Sequence, residues 1–112
     1  MDKQDKLDSE YRSKRREYEE QEDELLRQRD KGLAVLDEVA DMSDYYLRDF
    51  VPDRGILMQG MHELEQMKEE VIEAAQVDRK QIDRKMEDLE QEYYKNIRNL
   101  SDNQEEIKGG NS

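Results

Sequence analysis

The segment Phe50-Val51-Pro52-Asp53-Arg54-Gly55 lies near the middle of this 112-residue chain and decides its fold. Pro52 has no N–H and disfavours helical geometry at Val51, so a helix has to end just before it. Asp53 is suited to cap the helix that follows. We therefore predict one helical hairpin at 1–107, with helices at 3–50 and 55–107, a turn at 51–54 and a disordered tail at 108–112.

The composition on either side of this segment is typical of long helices. Charged residues make up 45% of the chain and hydrophobic residues only 33%, which is too little for a large globular core. Glu, Lys, Arg, Gln, Leu and Met dominate, and these side chains lose little entropy in a helix. The composition thus favours ordered helices over a disordered polyampholyte.

Apolar and aromatic residues recur every seven positions in the first arm, as they do in a coiled coil. One set is Tyr11, Tyr18, Leu25, Gly32, Val39 and Tyr46, and its companion set is Leu7, Lys14, Gln21, Gln28, Val35 and Met42. The second arm carries a similar stripe, which starts with Leu57, Met61, Leu64, Val71 and Ala75 and resumes one heptad position later with Ile72, Ala75, Ile82, Met86, Leu89, Tyr93 and Leu100. Both arms are therefore predicted to be amphipathic helices, and the sequence leaves open whether Gly32 kinks the first one.

If the chain folds back at Pro52, the two helices pack antiparallel. Each position then faces a position of the other arm, and the two residue numbers sum to about 104. Tyr11 then faces Tyr93, Leu7 faces Ile97 and Gly32 faces Ile72. Apolar positions meet apolar positions along both arms. The predicted fold class is all-α, with two long antiparallel helices forming a coiled-coil-like hairpin.

The apolar residues near the turn exceed what one seam between two helices can bury. On a helical wheel they cover more than one stripe, and exposed apolar patches of this kind mark interaction sites. Self-association and pairing with a different hairpin would bury this surface equally well, so the sequence leaves both open. The predicted partner-binding residues are Leu36, Val39, Tyr46, Phe50, Leu57, Met61 and Leu64.

The charge pattern limits the classes of partner. A formal net charge of −12 argues against binding to nucleic acids and to anionic membranes, because both attract basic surfaces. There is no apolar run long enough to span a membrane and no apolar signal-peptide core. We therefore expect a cytoplasmic chain that, if it is exported, uses a route without a cleaved signal.

Residues that could carry catalysis or bind a cofactor are scarce. The chain has no cysteine, and His62 is its only histidine. A di-iron bundle motif would place Glu three residues before that histidine, but position 59 is Gln59. Phosphate-binding and dinucleotide-binding glycine motifs are absent from the sequence, as is a Ser/His/Asp arrangement. We predict no metal, no cofactor and no enzymatic activity.

The short chain, the two arms of about 50 residues and the turn from Phe50 to Gly55 together resemble the Esx (WXG-type) helical hairpins of type VII secretion systems. Within that superfamily, the stretch from Asp5 to Arg12 most resembles small accessory proteins that are encoded beside LXG toxins. The turn lacks Trp-x-Gly. The C-terminal signal of the family, an aromatic residue followed four positions later by an acid, is also missing, since Ile97 follows Tyr93 and Arg98 follows Tyr94 at that spacing.

The resemblance implies a targeting factor or chaperone that binds the helical N-terminal domain of a toxin, beside a second small hairpin protein. The alternative is a self-assembling coiled-coil scaffold, whose homo-oligomer would explain the composition equally well. A nucleic-acid mimic is less favoured, because Lys and Arg are interspersed among the acids.

Overall fold

The computed structural model describes residues 2–50 and 53–110, with side chains as far as residue 103. It consists of two helices, α1 at Lys3–Leu47 and α2 at Arg54–Gly110. The two helices pack against each other as a hairpin, which confirms the predicted all-α fold class. They form two compact units, one of Asp23–Arg79 and one of Met1–Glu22 with Lys80–Ser112.

Helix α1 is capped at its start and ends earlier than predicted. The Asp2 carboxylate accepts a hydrogen bond from the Asp5 N–H at 2.7 Å, as an N-cap residue does. The helix ends at Leu47 rather than at residue 50, and the Phe50 N–H donates to the Leu47 carbonyl at 3.1 Å. The Arg48 carbonyl would need an N–H at position 52 to continue the helix, and proline supplies none. Positions 51 and 52 of the predicted turn lie outside the described residues.

Helix α2 begins where the sequence places its cap and extends further than predicted. The Asp53 carboxylate accepts a hydrogen bond from the Gly55 N–H at 2.8 Å, so Asp53 acts as the predicted N-cap. The helix continues to Gly110, through residues 108–110 of the predicted tail, while 111 and 112 lie outside the described residues. A glycine disfavours a helix by only about 1 kcal/mol, so Gly109 does not have to stop it.

The unit that contains both ends of the chain is organised around an aromatic pair. The rings of Tyr11 and Tyr93 stack with centroids 4.3 Å apart, which confirms the predicted pairing. The Tyr93 hydroxyl donates a hydrogen bond to the Asp8 carboxylate. Ile82 of α2 is buried in this unit, with 9% of its surface exposed. The aromatic contact fixes the register of the hairpin in this unit.

In the unit of Asp23–Arg79, the seam between the helices includes Gly32. A Cβ atom on Gly32 would lie 3.8 Å from the Val71 Cγ1 atom, so Gly32 faces Val71. The predicted partner Ile72 lies outside the seam and is exposed. Among the described residues of this unit, Ala75 is the buried one, and α1 runs through Gly32 without interruption. A seam this narrow buries little apolar surface.

The heptad interpretation of α1 is wrong beyond Gly32. Val39 and Tyr46 are exposed, and so are the companion residues Lys14, Gln21, Gln28, Val35 and Met42. The half-buried positions beyond Gly32 instead include Leu33, Leu36, Ala40 and Ser43, so the seam continues at other positions of the seven-residue repeat. A helix with 3.6 residues per turn drifts by about 20° per heptad, so a strict seven-residue set leaves the seam. The drift carries Val39 and Tyr46 onto the flank of α1.

Candidate protein-binding groove

An apolar groove runs between α1 and α2 in the part of the Asp23–Arg79 unit that is nearest to the start of α2. Its volume is about 350 Å³. The α1 wall consists of Val39, Ser43 and Leu47, and the α2 wall consists of Ile56, Leu57, Gly60, Met61 and Leu64. The walls carry no charged side chain, which is unusual in a chain with 45% charged residues.

A second and wider depression of about 930 Å³ lies further along the same two helices. Val35 and Leu36 contribute from α1, and Met67, Val71 and Ala74 contribute from α2. Val35 precedes Val39 by four residues and Met67 follows Gly60 by seven, and both spacings keep residues on one face of a helix. The two depressions therefore open on the same side of this unit, and we call them together the groove.

The rim of the groove on α1 is an apolar stripe that α2 leaves exposed in the described part of the chain. Val35, Val39, Met42 and Tyr46 follow each other at spacings of four, three and four residues, and all four are exposed. Ile56 and Met67 line the α2 side, and they are exposed as well. Full burial of an exposed apolar side chain gains about 1.5–3 kcal/mol, and these partly covered side chains would each gain a share of it, so this surface favours contact with another protein.

Charged side chains line both edges of the wider end of the groove. Glu24, Arg27 and Lys31 contribute from α1, and Glu70 contributes from α2. The Arg27 guanidinium lies 2.9 Å from the Glu24 carboxylate on the same helix. A ligand in the groove would therefore meet charges of both signs on the α1 edge and a carboxylate on the α2 edge.

The side of the unit that faces away from the groove is acidic. The Lys68 ammonium lies 2.6 Å from the Asp37 carboxylate and 3.4 Å from the Glu65 carboxylate, joining the helices on this side. The hydrogen bond to Asp37 raises the pKa of Lys68 above its ordinary value. By helical spacing, Asp41 and Glu69 lie on the same side. Of the two sides of this unit, the groove side is therefore better suited to contact with an apolar surface.

The structure places the seven predicted partner-binding residues in two groups. Leu36, Leu57, Met61 and Leu64 are half-buried in the seam, where they form the floor of the groove. Val39 and Tyr46 lie on the exposed stripe of α1, and Phe50 follows the end of α1 with 81% of its surface exposed. Phe50 does not line the groove.

Five further large apolar residues of the groove rim or wall are exposed but are not among the predicted site residues. They are Val35, Met42, Leu47, Ile56 and Met67. Their signal was present in the sequence, since Val35, Val39, Met42 and Tyr46 form an i, i+4, i+7, i+11 pattern. The seven-residue repeat predicts that this pattern lies in the seam, and only the packing of the helices shows that it belongs to the flank.

Other kinds of site find little support in the described part of the chain. No group of three or more His, Cys, Asp or Glu side chains that could hold a metal ion occurs there, and His62 is exposed. Within the same residues, neither helix has a stretch that is apolar and long enough to cross a membrane.

No protein-family model, no curated protein and no solved structure matches this chain.

Proposed function

We propose that this chain is a non-enzymatic helical binding protein whose groove holds an amphipathic helix of another protein. The observation that carries the proposal is the uncharged groove wall beside the exposed stripe of Val35, Val39, Met42 and Tyr46. An apolar groove between two helices accepts the apolar face of a third helix, with anchor residues at i, i+3, i+4 and i+7.

The proposed partner is the helical N-terminal domain of an LXG-type toxin of a type VII secretion system. This partner class is supported by the resemblance of the sequence to the small accessory proteins of such toxins, with arms of about 50 residues and the stretch from Asp5 to Arg12. The chain would then shield the apolar face of the toxin domain and present it for export, together with a second small hairpin protein. The acidic side opposite the groove would keep the complex in solution.

The experiment is co-expression of this chain with the helical N-terminal domain of the LXG toxin encoded nearest to it. A complex of defined mass is expected by light scattering, and calorimetry gives its dissociation constant. The Met67→Asp variant places a charge in the groove, where Met67 is 48% exposed, and should weaken binding by tenfold or more, at about 1.4 kcal/mol per factor of ten.

The matched control is Met58→Asp, which makes the same change on the same helix. Met58 is 71% exposed and does not line the groove, so this variant should bind like the unmodified chain. Substitutions at Leu57 or Met61 are less informative, because both residues also support the seam. Equal loss of binding in both methionine variants, or no complex at all, would contradict the proposal.

A further inference from the structure

Sulfur atoms are concentrated at the groove. The chain has six methionines and no cysteine. Met61 and Met67 line the groove from α2, and Met42 belongs to the exposed stripe on its α1 rim. Because the chain has no thiol, its thioethers are the sulfur atoms that a two-electron oxidant can convert. Half of these thioethers therefore belong to the surface that is proposed to bind a partner.

Two of the groove thioethers are accessible from solvent on opposite edges of the opening. Met42 on α1 is 51% exposed and Met67 on α2 is 48% exposed, whereas Met61 belongs to the half-buried floor. Reaction with a dissolved oxidant requires that it can reach the sulfur atom. An oxidant in solution can therefore modify both edges of the groove while the two helices stay packed.

A peroxide converts a thioether to a sulfoxide by transfer of one oxygen atom. A lone pair of the methionine sulfur attacks one oxygen of hydrogen peroxide, and the O–O bond breaks. The departing hydroxide takes the proton from the new S–OH group and leaves as water. Sulfur is oxidised by two electrons, and the peroxide is reduced by two. Hydrogen peroxide is uncharged at neutral pH, so the net charge of −12 does not keep it away from the groove.

The product changes the chemical character of the groove. A sulfoxide is polar and accepts hydrogen bonds, whereas the narrow part of the groove has no charged side chain and suits an apolar face. An apolar ligand that covered the sulfoxide would offer it no hydrogen-bond donor, and burial of a polar group without a hydrogen bond opposes binding. Because Met42 and Met67 are exposed, their oxidation should leave the seam intact.

We propose that Met42 and Met67 form an oxidation-sensitive switch: a peroxide converts both to sulfoxides, and the groove then releases its apolar ligand. The switch is reversible, because methionine sulfoxide reductases return each sulfoxide to the thioether. In that reaction a dithiol is oxidised to a disulfide and the oxygen atom leaves as water. The inference rests on the proposed function, since it concerns the same groove, and it adds control of binding by oxidants.

The first test uses Nile red, a neutral apolar dye, and needs no partner protein. The purified full chain is treated with hydrogen peroxide until peptide mass spectrometry shows sulfoxide at Met42 and Met67, and the reaction is stopped before Met61 is modified. The affinity for the dye, measured by fluorescence titration, should fall at least tenfold, while circular dichroism shows that the helices persist. The reductases for both sulfoxide epimers, supplied with dithiothreitol, should restore it.

Two matched double variants show whether the groove methionines are responsible. Met42→Leu/Met67→Leu keeps both positions apolar and similar in volume but removes their thioethers, so its affinity should survive the peroxide. Met58→Leu/Met86→Leu removes two methionines that do not line the groove, so its affinity should fall like that of the unmodified chain. Equal loss in both variants overturns the proposal. An untreated chain that does not bind the dye, or a treated chain that binds it unchanged, also overturns it.

A second titration, with the toxin domain of the co-expression experiment, separates this inference from the proposed function. If the untreated chain binds the domain and the oxidised chain binds it equally well, the switch is wrong and the proposed function stands. If the untreated chain does not bind the domain but loses its affinity for the dye on oxidation, the toxin partner is wrong and the switch stands.

Discussion

At the scale of single residues, Tyr93 makes the most specific contact between the helices. Its ring stacks on Tyr11 and meets the ring of Tyr94 edge-on, and its hydroxyl donates a hydrogen bond to Asp8. That hydrogen bond and the partial burial of the ring raise the pKa of Tyr93 above its ordinary value. The interaction requires the protonated phenol, so it links the stability of this unit to pH.

We expect this linkage to appear as a loss of stability in alkaline solution. Because the pKa of Tyr93 is higher in the folded state, its stabilising contribution is complete below the unfolded pKa of about 10 and disappears as pH rises through the folded value. The Tyr93→Phe variant keeps the ring but lacks the hydroxyl, so it should melt at a lower temperature near neutral pH. Thermal melts by circular dichroism from neutral to strongly alkaline pH measure both effects.

The control for this prediction is Tyr45→Phe, because Tyr45 is exposed. Its melting temperature should follow that of the unmodified chain at every pH. The difference between the unmodified chain and Tyr93→Phe should shrink as the pH passes the folded pKa. A difference that stays constant would mean that the hydrogen bond to Asp8 does not contribute.

At the scale of the helices, local chemistry in the sequence predicts most of the fold. Proline at position 52 locates the break between the helices, and Asp53 caps α2 as predicted. The register follows from matching apolar positions across the turn, as the Tyr11–Tyr93 stack confirms. These features depend on contacts that either are local or repeat along the helix.

The sequence does not predict which apolar stripe of α1 packs against α2 in the seam. Two stripes compete on α1, one through Leu25 and Leu36 and one through Val35 and Val39. The two stripes are neighbours on the helix surface, and a helix drifts by only about 20° per heptad, so the repeat in the sequence does not choose between them. The choice is made by the opposing helix, so the groove becomes visible only when both helices are packed. Hence the sequence predicts the region near the turn as the site, with Val39 and Tyr46 of the exposed stripe, but it does not single out Val35 and Met42.

Gly32 offers a test of the seam at this scale. Replacing Gly32 with alanine should stabilise the chain by up to about 1 kcal/mol, because alanine favours the helix and its methyl group would lie in ordinary contact with Val71. Urea unfolding followed by circular dichroism measures the change in the free energy of unfolding.

Gly60→Ala is the control for this change, since a Cβ atom there meets nothing within 4 Å. At concentrations where the chain is monomeric, both variants should gain stability from the helix preference of alanine. If Gly60→Ala stabilises the chain and Gly32→Ala destabilises it, the seam at Val71 is tighter than the structure shows.

At the scale of the whole molecule, acidic residues outnumber basic ones by 31 to 19. The ion pairs between exposed side chains, such as Arg15 with Glu19 and Arg27 with Glu24, join neighbouring turns of one helix. Pairs of this kind contribute little to stability. The excess negative charge therefore opposes the packing of two acidic helices more than the ion pairs support it.

We therefore expect added sodium chloride to raise the melting temperature of the monomer, because salt screens repulsion between exposed carboxylates. Thermal melts at low protein concentration, from very low ionic strength to well above the physiological value, measure this dependence. A variant with Asp41→Asn and Glu69→Gln removes two negative charges from the acidic side. It should melt at a higher temperature in low salt and respond less to added salt. A melting temperature that falls as salt is added would show instead that attractive ion pairs, such as Lys68 with Asp37, outweigh the net charge in holding the helices together.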